Sequence, residues 1–191
     1  MPPTIDVALT SLWLAILLAG LAIFFLSFVC WMLMKHHYSD FAALPEEDGV
    51  MDTLRSSGAG AGQYRFPFCN SAAEMQDPEF QARYDAGPKG YLVLMPEGPF
   101  AIGAGMARTV LFCLGIAFAV GYVATIAFPA GAAPMEVFRL TATVTWLTCC
   151  GAHGWGVIWM GRSSSQTLKD VLDSLVYALA VGAIFAWQWP A

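Results

Sequence analysis

The run from Leu9 to Met34 constrains this chain more than any other stretch: 26 residues with no charged side chain among them. In a helix rising about 1.5 Å per residue, such a run exceeds the roughly 20 residues needed to cross hydrocarbon. No Lys or Arg precedes it, and it is far longer than the about 7–15 apolar residues of a signal-peptide core, so it reads as a retained anchor. Trp31 near its end, followed by Lys35, His36 and His37, supplies an aromatic and basic interface anchor.

Three further apolar stretches follow the same logic. Ala107 to Phe128 is stopped by Pro129, Met135 to Met160 is the next, and Thr167 to Trp189 is the last. The last opens on a Ser/Thr cluster, with Asp170 three residues after Thr167 in a capping-box pattern. Short links make these three sequential antiparallel neighbours. With 58% hydrophobic and 12% charged residues, against about 45–50% and 25% in soluble domains, the bilayer is the expected solvent. The expected fold is an all-α membrane protein: an N-terminal transmembrane helix within 1–34, a cytoplasmic loop over 35–106, and a three-helix bundle over 107–191 (107–128, 135–160, 167–189).

The loop has ordinary polar composition. Pro45-Glu46-Glu47-Asp48 followed by Val50, Met51 and Leu54 predicts a short amphipathic helix with acids at its start and Arg55 at its end. Asp77-Pro78-Glu79 through Tyr84, stopped by Gly87-Pro88, predicts another. Tyr91 to Met95 reads as a short strand able to pair with Gln63 to Phe68. Such a hairpin is marginal alone, so the loop is expected to rest on a membrane or a partner.

Basic residues set the expected orientation. Lys35, Arg55, Arg65, Arg83, Lys89, Arg108, Arg162 and Lys169 flank or fill one side, and Arg139 sits near the other. The positive-inside rule then puts the loop in the cytoplasm and both termini on the opposite face. A net charge of -5 argues against nucleic acid as a partner. The expected partners are the lipid bilayer and other membrane-protein subunits.

Candidate chemistry is sparse. The five cysteines, Cys30, Cys69, Cys113, Cys149 and Cys150, show neither a disulfide framework nor paired zinc spacing. Cys149 and His153, four apart, share a helical face beside Cys150 and make a candidate metal or haem patch. A structural histidine bonded to a neighbouring helix's backbone or hydroxyl is the preferred reading, and His153 is the one residue singled out for a cofactor of unknown identity. His36, His37 and Asp40 form a second metal candidate, since His36 and Asp40 are also four apart. Asp170 and Asp173 open the last helix, where the helix dipole and pairing with Lys169, Arg162 or Arg108 account for them, an ion path being the alternative. Gly151, Ala152 and Gly156, with Ala117 and Gly121 and with Ala178 and Gly182, form small-residue faces suited to close helix packing. None of the common nucleotide, hydrolase or zinc-protease motifs occurs.

The segments KHHYSDFAALPEEDGVMDTLR, GQYRFPF, GPKGYLVLMPEGP and SQTLKDVLDSLVYAL resemble those of a family of uncharacterised bacterial four-helix integral membrane proteins. The resemblance spans most of the chain and implies a four-span inner-membrane protein with no activity attached. The expected role is an accessory or structural subunit of a larger bacterial membrane complex in respiratory or photosynthetic energy conversion. A small membrane redox or metal-binding enzyme using Cys149, Cys150 and His153, and a transporter or channel using Asp173, are the alternatives.

Overall fold

A computed structural model describes residues 6–99 and 101–191. The opening of the segment 1–34, and with it the placement of the N-terminus, lies outside the described residues. In chain order the helices are α1 Trp13–Phe28, α2 Glu47–Ser56, α3 Ala72–Met75, α4 Pro78–Ala86, α5 Ile102–Ala127, α6 Pro134–Cys150, α7 His153–Met160 and α8 Ser164–Gln188, with strands β1 Gly62–Phe66 and β2 Gly90–Leu94. Contacts divide the chain into two compact units, Met1–Phe41 with Ala101–Val157 and Arg162–Ala191, and Ala42–Phe100 with Ile158–Gly161.

Among the described residues of the first unit, three helical stretches are long and apolar enough to cross a membrane: Leu9–Leu33, Ile102–Ala127 and Ser164–Gln188. The stretch 135–160, expected as one helix, is divided into α6 and α7 at Gly151-Ala152. The cause is local. Gly151, Gly154 and Gly156 each weaken a helix by about 1 kcal/mol relative to Ala. His153 Nε2 donates to the Cys149 carbonyl at 3.1 Å, the acceptor its own backbone N–H would use in an unbroken helix. A Cβ at Gly151 would stand 2.6 Å from the Leu147 carbonyl oxygen, so the turn admits glycine alone.

Helix α8 carries the core stripe. Asp173, Tyr177, Ala178, Val181 and Phe185 are all buried at three- and four-residue spacing, the period that puts them on one face. It packs against both α6 and α1, and α1 packs in turn against α5. Small residues set the closest approaches. A Cβ at Gly182 would meet Phe138 and Ala142 at 2.9 Å, one at Gly121 would meet Ile16 and Phe185 at 3.3 Å, and Ala117 and Ala178 are buried. Gly20 on α1, not singled out by spacing, is tighter still, 2.6 Å from Leu114. The other small-residue face does not pack this bundle: Gly151 and Ala152 are exposed, and Gly156 meets the Arg162 side chain. Buried Thr141 and Thr145 return their hydroxyls to the carbonyls of Val137 and Thr141, both at 2.7 Å, which satisfies them inside an apolar interface. On the outside, large apolar side chains such as Leu111, Phe112 and Ile126 are exposed, as suits lipid contact.

Helix α8 begins at Ser164, three residues before the expected Thr167 cap, so Thr167 falls in its first turn. At the far end Trp189 Nε1 donates to the Pro129 carbonyl at 3.0 Å, and the Gly131 N–H donates to Pro190 at 2.9 Å, which ties the α5–α6 link to the C-terminus.

The second unit is the loop. Strands β1 and β2 pair antiparallel with Tyr64 opposite Leu92, the hairpin expected from the flanking glycines and prolines. Helix α4 starts as expected, Asp77 accepting from the Glu79 N–H at 2.7 Å. Helix α3 was not anticipated, although Ser71 and Glu74 carry a capping box: Ser71 Oγ accepts from the Glu74 N–H, and Glu74 Oε2 accepts from the Asn70 N–H.

Candidate functional site

The site forms where α1 ends. A π-helical turn over Val29–Leu33 adds one residue to the helical register, and the Met34 N–H closes it on the Val29 carbonyl at 2.9 Å. Lys35 then takes the left-handed conformation at φ 56°, a state costing an L-residue roughly 1–2 kcal/mol. This reverses the chain into a 3-10 turn over His36–Asp40 that lies against α8. Backbone strain of this kind concentrates at sites where it is held by surrounding contacts.

The contacts that hold it are polar and mostly buried. His36 Nε2 lies 3.1 and 3.2 Å from the two oxygens of Asp173, and His37 Nε2 lies 3.0 Å from the Oδ2 of the same residue. The other nitrogen of His37, Nδ1, is 2.5 Å from Asp40 Oδ2. Lys169 Nζ donates to Asp40 Oδ1 at 2.6 Å, to the His36 carbonyl at 2.7 Å and to Ser39 Oγ at 2.9 Å. Trp31 stacks flat on His37, the ring centres 3.9 Å apart and the planes 7° from parallel. The His37 side chain is 1% exposed, Asp40 2% and Asp173 11%, while His36 at 26% opens the cluster to its surroundings. Buried Cys30 and Tyr177 sit beside Asp173. Among the described residues, His36 Nδ1, Thr167 Oγ1 and the Tyr177 hydroxyl are buried with no hydrogen-bond partner.

This arrangement differs from the expected one in its pairing. Spacing of four had joined His36 to Asp40, but Asp40 bonds His37 instead. The segment is a 3-10 turn with about three residues per turn, so residues three apart eclipse. The dipole account of Asp173 also fails: α8 starts at Ser164, leaving Asp173 well beyond the first turn in which the dipole acts. Its partners are the two histidines rather than a lysine or arginine.

Charge in the cluster is not balanced by its fixed groups. Two carboxylates face one ammonium, so the imidazoles must supply, or a bound cation must supply, the remaining positive charge. If His37 donates from both nitrogens it is an imidazolium bridging Asp40 and Asp173. Burial alone would lower its pKa, but the hydrogen bonds to Asp40 and Asp173 together raise it. Lys169 first, and His37 after it, hold the Asp40 carboxyl below the usual range against the effect of burial.

A cation satisfies the same geometry in another way. One ring nitrogen each of His36 and His37 and a carboxylate oxygen of Asp173 lie within 4.8 Å of one another. Donors around a tetrahedral ion with bonds of about 2.0–2.1 Å stand about 3.3 Å apart, close to the 3.0–3.2 Å nitrogen–oxygen separations seen here. Two imidazoles and one carboxylate suit a divalent first-row transition metal; Mg²⁺ and Ca²⁺ prefer oxygen alone and Cu(I) prefers sulfur.

The patch around His153 has no such convergence. His153 Nε2 faces a carbonyl, which only accepts, so that nitrogen carries the proton; Nδ1 lies against the Arg162 guanidinium and 3.3 Å from Asp170 Oδ2. Both nitrogens of His153 are thereby engaged by groups of the chain itself. Arg162 in turn donates to Asp170 at 2.6 Å. Cys149 is partly buried against the apolar core, and Cys149, Cys150 and His153 do not gather as ligands among the described residues. Arg108 and Lys35 are exposed and take no part in either cluster. Sequence reasoning grouped His36, His37 and Asp40, and separately Asp173 with Lys169, but did not join the two groups. The joining contacts span 129 to 137 positions of sequence. No family model, no curated protein and no solved structure matches this chain.

Proposed function

We propose that this protein is a membrane-embedded metal-binding protein, holding one divalent first-row transition-metal ion between the end of α1 and α8 through His36, His37 and Asp173. The observation that carries this reading is the convergence of two imidazole nitrogens on one carboxylate in a largely buried side-chain cluster with a fixed-charge deficit. Three protein ligands leave a position for an exchangeable ligand, as in open rather than closed metal sites. The exposed edge of His36 is its approach route. The bacterial inner membrane is the proposed location, with the site and loop on the cytoplasmic face, because eight basic residues border that side and Arg139 the other. In this arrangement α6 and α7 together make a fourth crossing, and both termini lie outside.

The test is direct. Full-length protein in mild detergent, stripped with a chelator and titrated with zinc or cobalt(II), takes up one ion per chain, and Asp173→Asn takes up none. Wild-type protein that binds no stoichiometric metal would falsify the reading.

A second reading, an accessory subunit of a larger energy-converting complex, is favoured by α7. Trp155, Ile158, Trp159 and Met160 are all exposed there and none of its residues is buried, which suits a lateral helix partner. Mild-detergent purification yielding free monomer alone would remove it.

A further inference from the structure

We infer that Asp40 and Lys169 are positioning residues of the proposed metal site, which fix the ring of His37 as a ligand. The inference rests on the metal reading and adds to it a division of labour among the ligands.

The physical reason lies in which nitrogen of His37 keeps its proton. An imidazole ligates through a lone pair, so the nitrogen facing the ion must be bare and the other must hold the hydrogen. Asp40 Oδ2, 2.5 Å from Nδ1, accepts that hydrogen, so when an ion replaces the proton between Nε2 and Asp173, Nε2 is the nitrogen that ligates it. A carboxylate behind a metal-bound histidine fixes the ring orientation and raises the basicity of the ligating nitrogen. Asp40 is itself held. Its second oxygen accepts from Lys169, whose ammonium also binds the His36 carbonyl and Ser39 Oγ, so one side chain of α8 clamps both ends of the 36–40 turn. Trp31, stacked on the ring face, prevents His37 from rotating out of the plane these bonds define.

His36 has no equivalent support. Its Nδ1 is buried without a partner among the described residues, and its side chain is the most exposed of the three ligands. His37 and Asp173 are therefore the anchored pair, and His36 is the ligand that can release and rebind as an ion enters or leaves.

The experiment uses cobalt(II) alone, titrated into chelator-stripped full-length protein in detergent, with affinity set by a competing dye and ligand geometry by the visible absorption bands. Asp40→Asn is expected to keep one ion per chain, lose about 10–100-fold in affinity and shift the cobalt bands. Lys169→Met is expected to change both in the same direction by less, and Lys169→Arg, which keeps the charge, to recover much of the loss. If Asp40→Asn proves unstable, the Lys169 pair decides, provided both melt with the wild type. Wild-type affinity and bands in Asp40→Asn and Lys169→Met, alongside loss of binding in Asp173→Asn, would overturn the positioning role and leave the metal reading standing. Wild-type protein that takes up no cobalt overturns both.

Discussion

Two histidine–carboxylate clusters hang from the same helix, and they solve the burial of charge in opposite ways. In one, Asp170 accepts from Arg162, and Arg162 caps the free nitrogen of His153, whose other nitrogen already donates to Cys149. Every ionisable group there has a partner, Asp170 also lying 3.3 Å from His153 Nδ1, and the fixed charges cancel. In the other, one turn further along α8, Asp173 receives two imidazoles and the fixed charges leave a negative excess. The first cluster is closed; the second keeps the negative excess on which the proposed metal reading rests. The chemical type of the residues is nearly the same in both, so the lesson is that the balance of fixed charge, rather than composition, separates a structural clasp from the proposed binding site.

The largest effect that can break this comparison is on metal uptake. Asp173→Asn should abolish stoichiometric zinc or cobalt binding, whereas Asp170→Asn should leave one ion per chain; elemental analysis after gel filtration measures both. Equal loss in the two variants would mean the clusters act as one. Next is stability. Asp170→Ala leaves a partly buried guanidinium unpaired, and between the values for exposed and buried pairs this costs about 2 kcal/mol, read as a lowered midpoint of thermal unfolding with metal affinity unchanged. His153→Ala should cost less, about 1 kcal/mol for its hydrogen bonds, again without effect on metal. A cobalt affinity that fell with His153→Ala would return that residue to candidacy as a ligand.

The smallest expected effect concerns pH in metal-free protein. His37 has a raised pKa in the folded state because Asp40 and Asp173 outweigh its burial. A raised folded value contributes stability below the unfolded pKa of about 6.5 and loses it as pH rises through the folded one. The metal-free melting temperature should therefore fall on going from mildly acid to alkaline buffer, and His37→Gln should flatten that slope. Asp40 has the opposite sign, its lowered pKa contributing stability that is lost only as strong acid protonates it. Metal-loaded protein should run the other way across neutral pH, gaining stability as protons that compete with the ion are removed.

Hydropathy and turn chemistry made most of the fold readable. The long apolar runs became α1, α5 and α8, and the Asp77-Pro78 start and the glycine- and proline-bounded strands appear where their residues place them. The division of α6 from α7 was written in Gly151, Gly154 and Gly156, whose small size reads equally as a packing face or as a weak point in a helix. Only the tertiary structure chooses, because the choice depends on whether a partner helix fills the space. The site was legible as parts. His36 and His37 could be marked from type and place, but their pairing required knowing that the turn is 3-10 rather than α. Asp173 required knowing which face α8 turns to α1. Neither is a local property.

The π-helical turn at Val29–Leu33 gives the stretch between Phe28 and His36 the character of a ruler. An α-helix turns by about 100° per residue, so inserting a residue beyond the one that the π-turn already absorbs would swing both imidazoles a quarter-turn away from Asp173. Side-chain replacements in that stretch change what touches the ring of His37; changes of length change whether the ring arrives at all. Over these few positions the molecule should tolerate altered chemistry far better than an altered count.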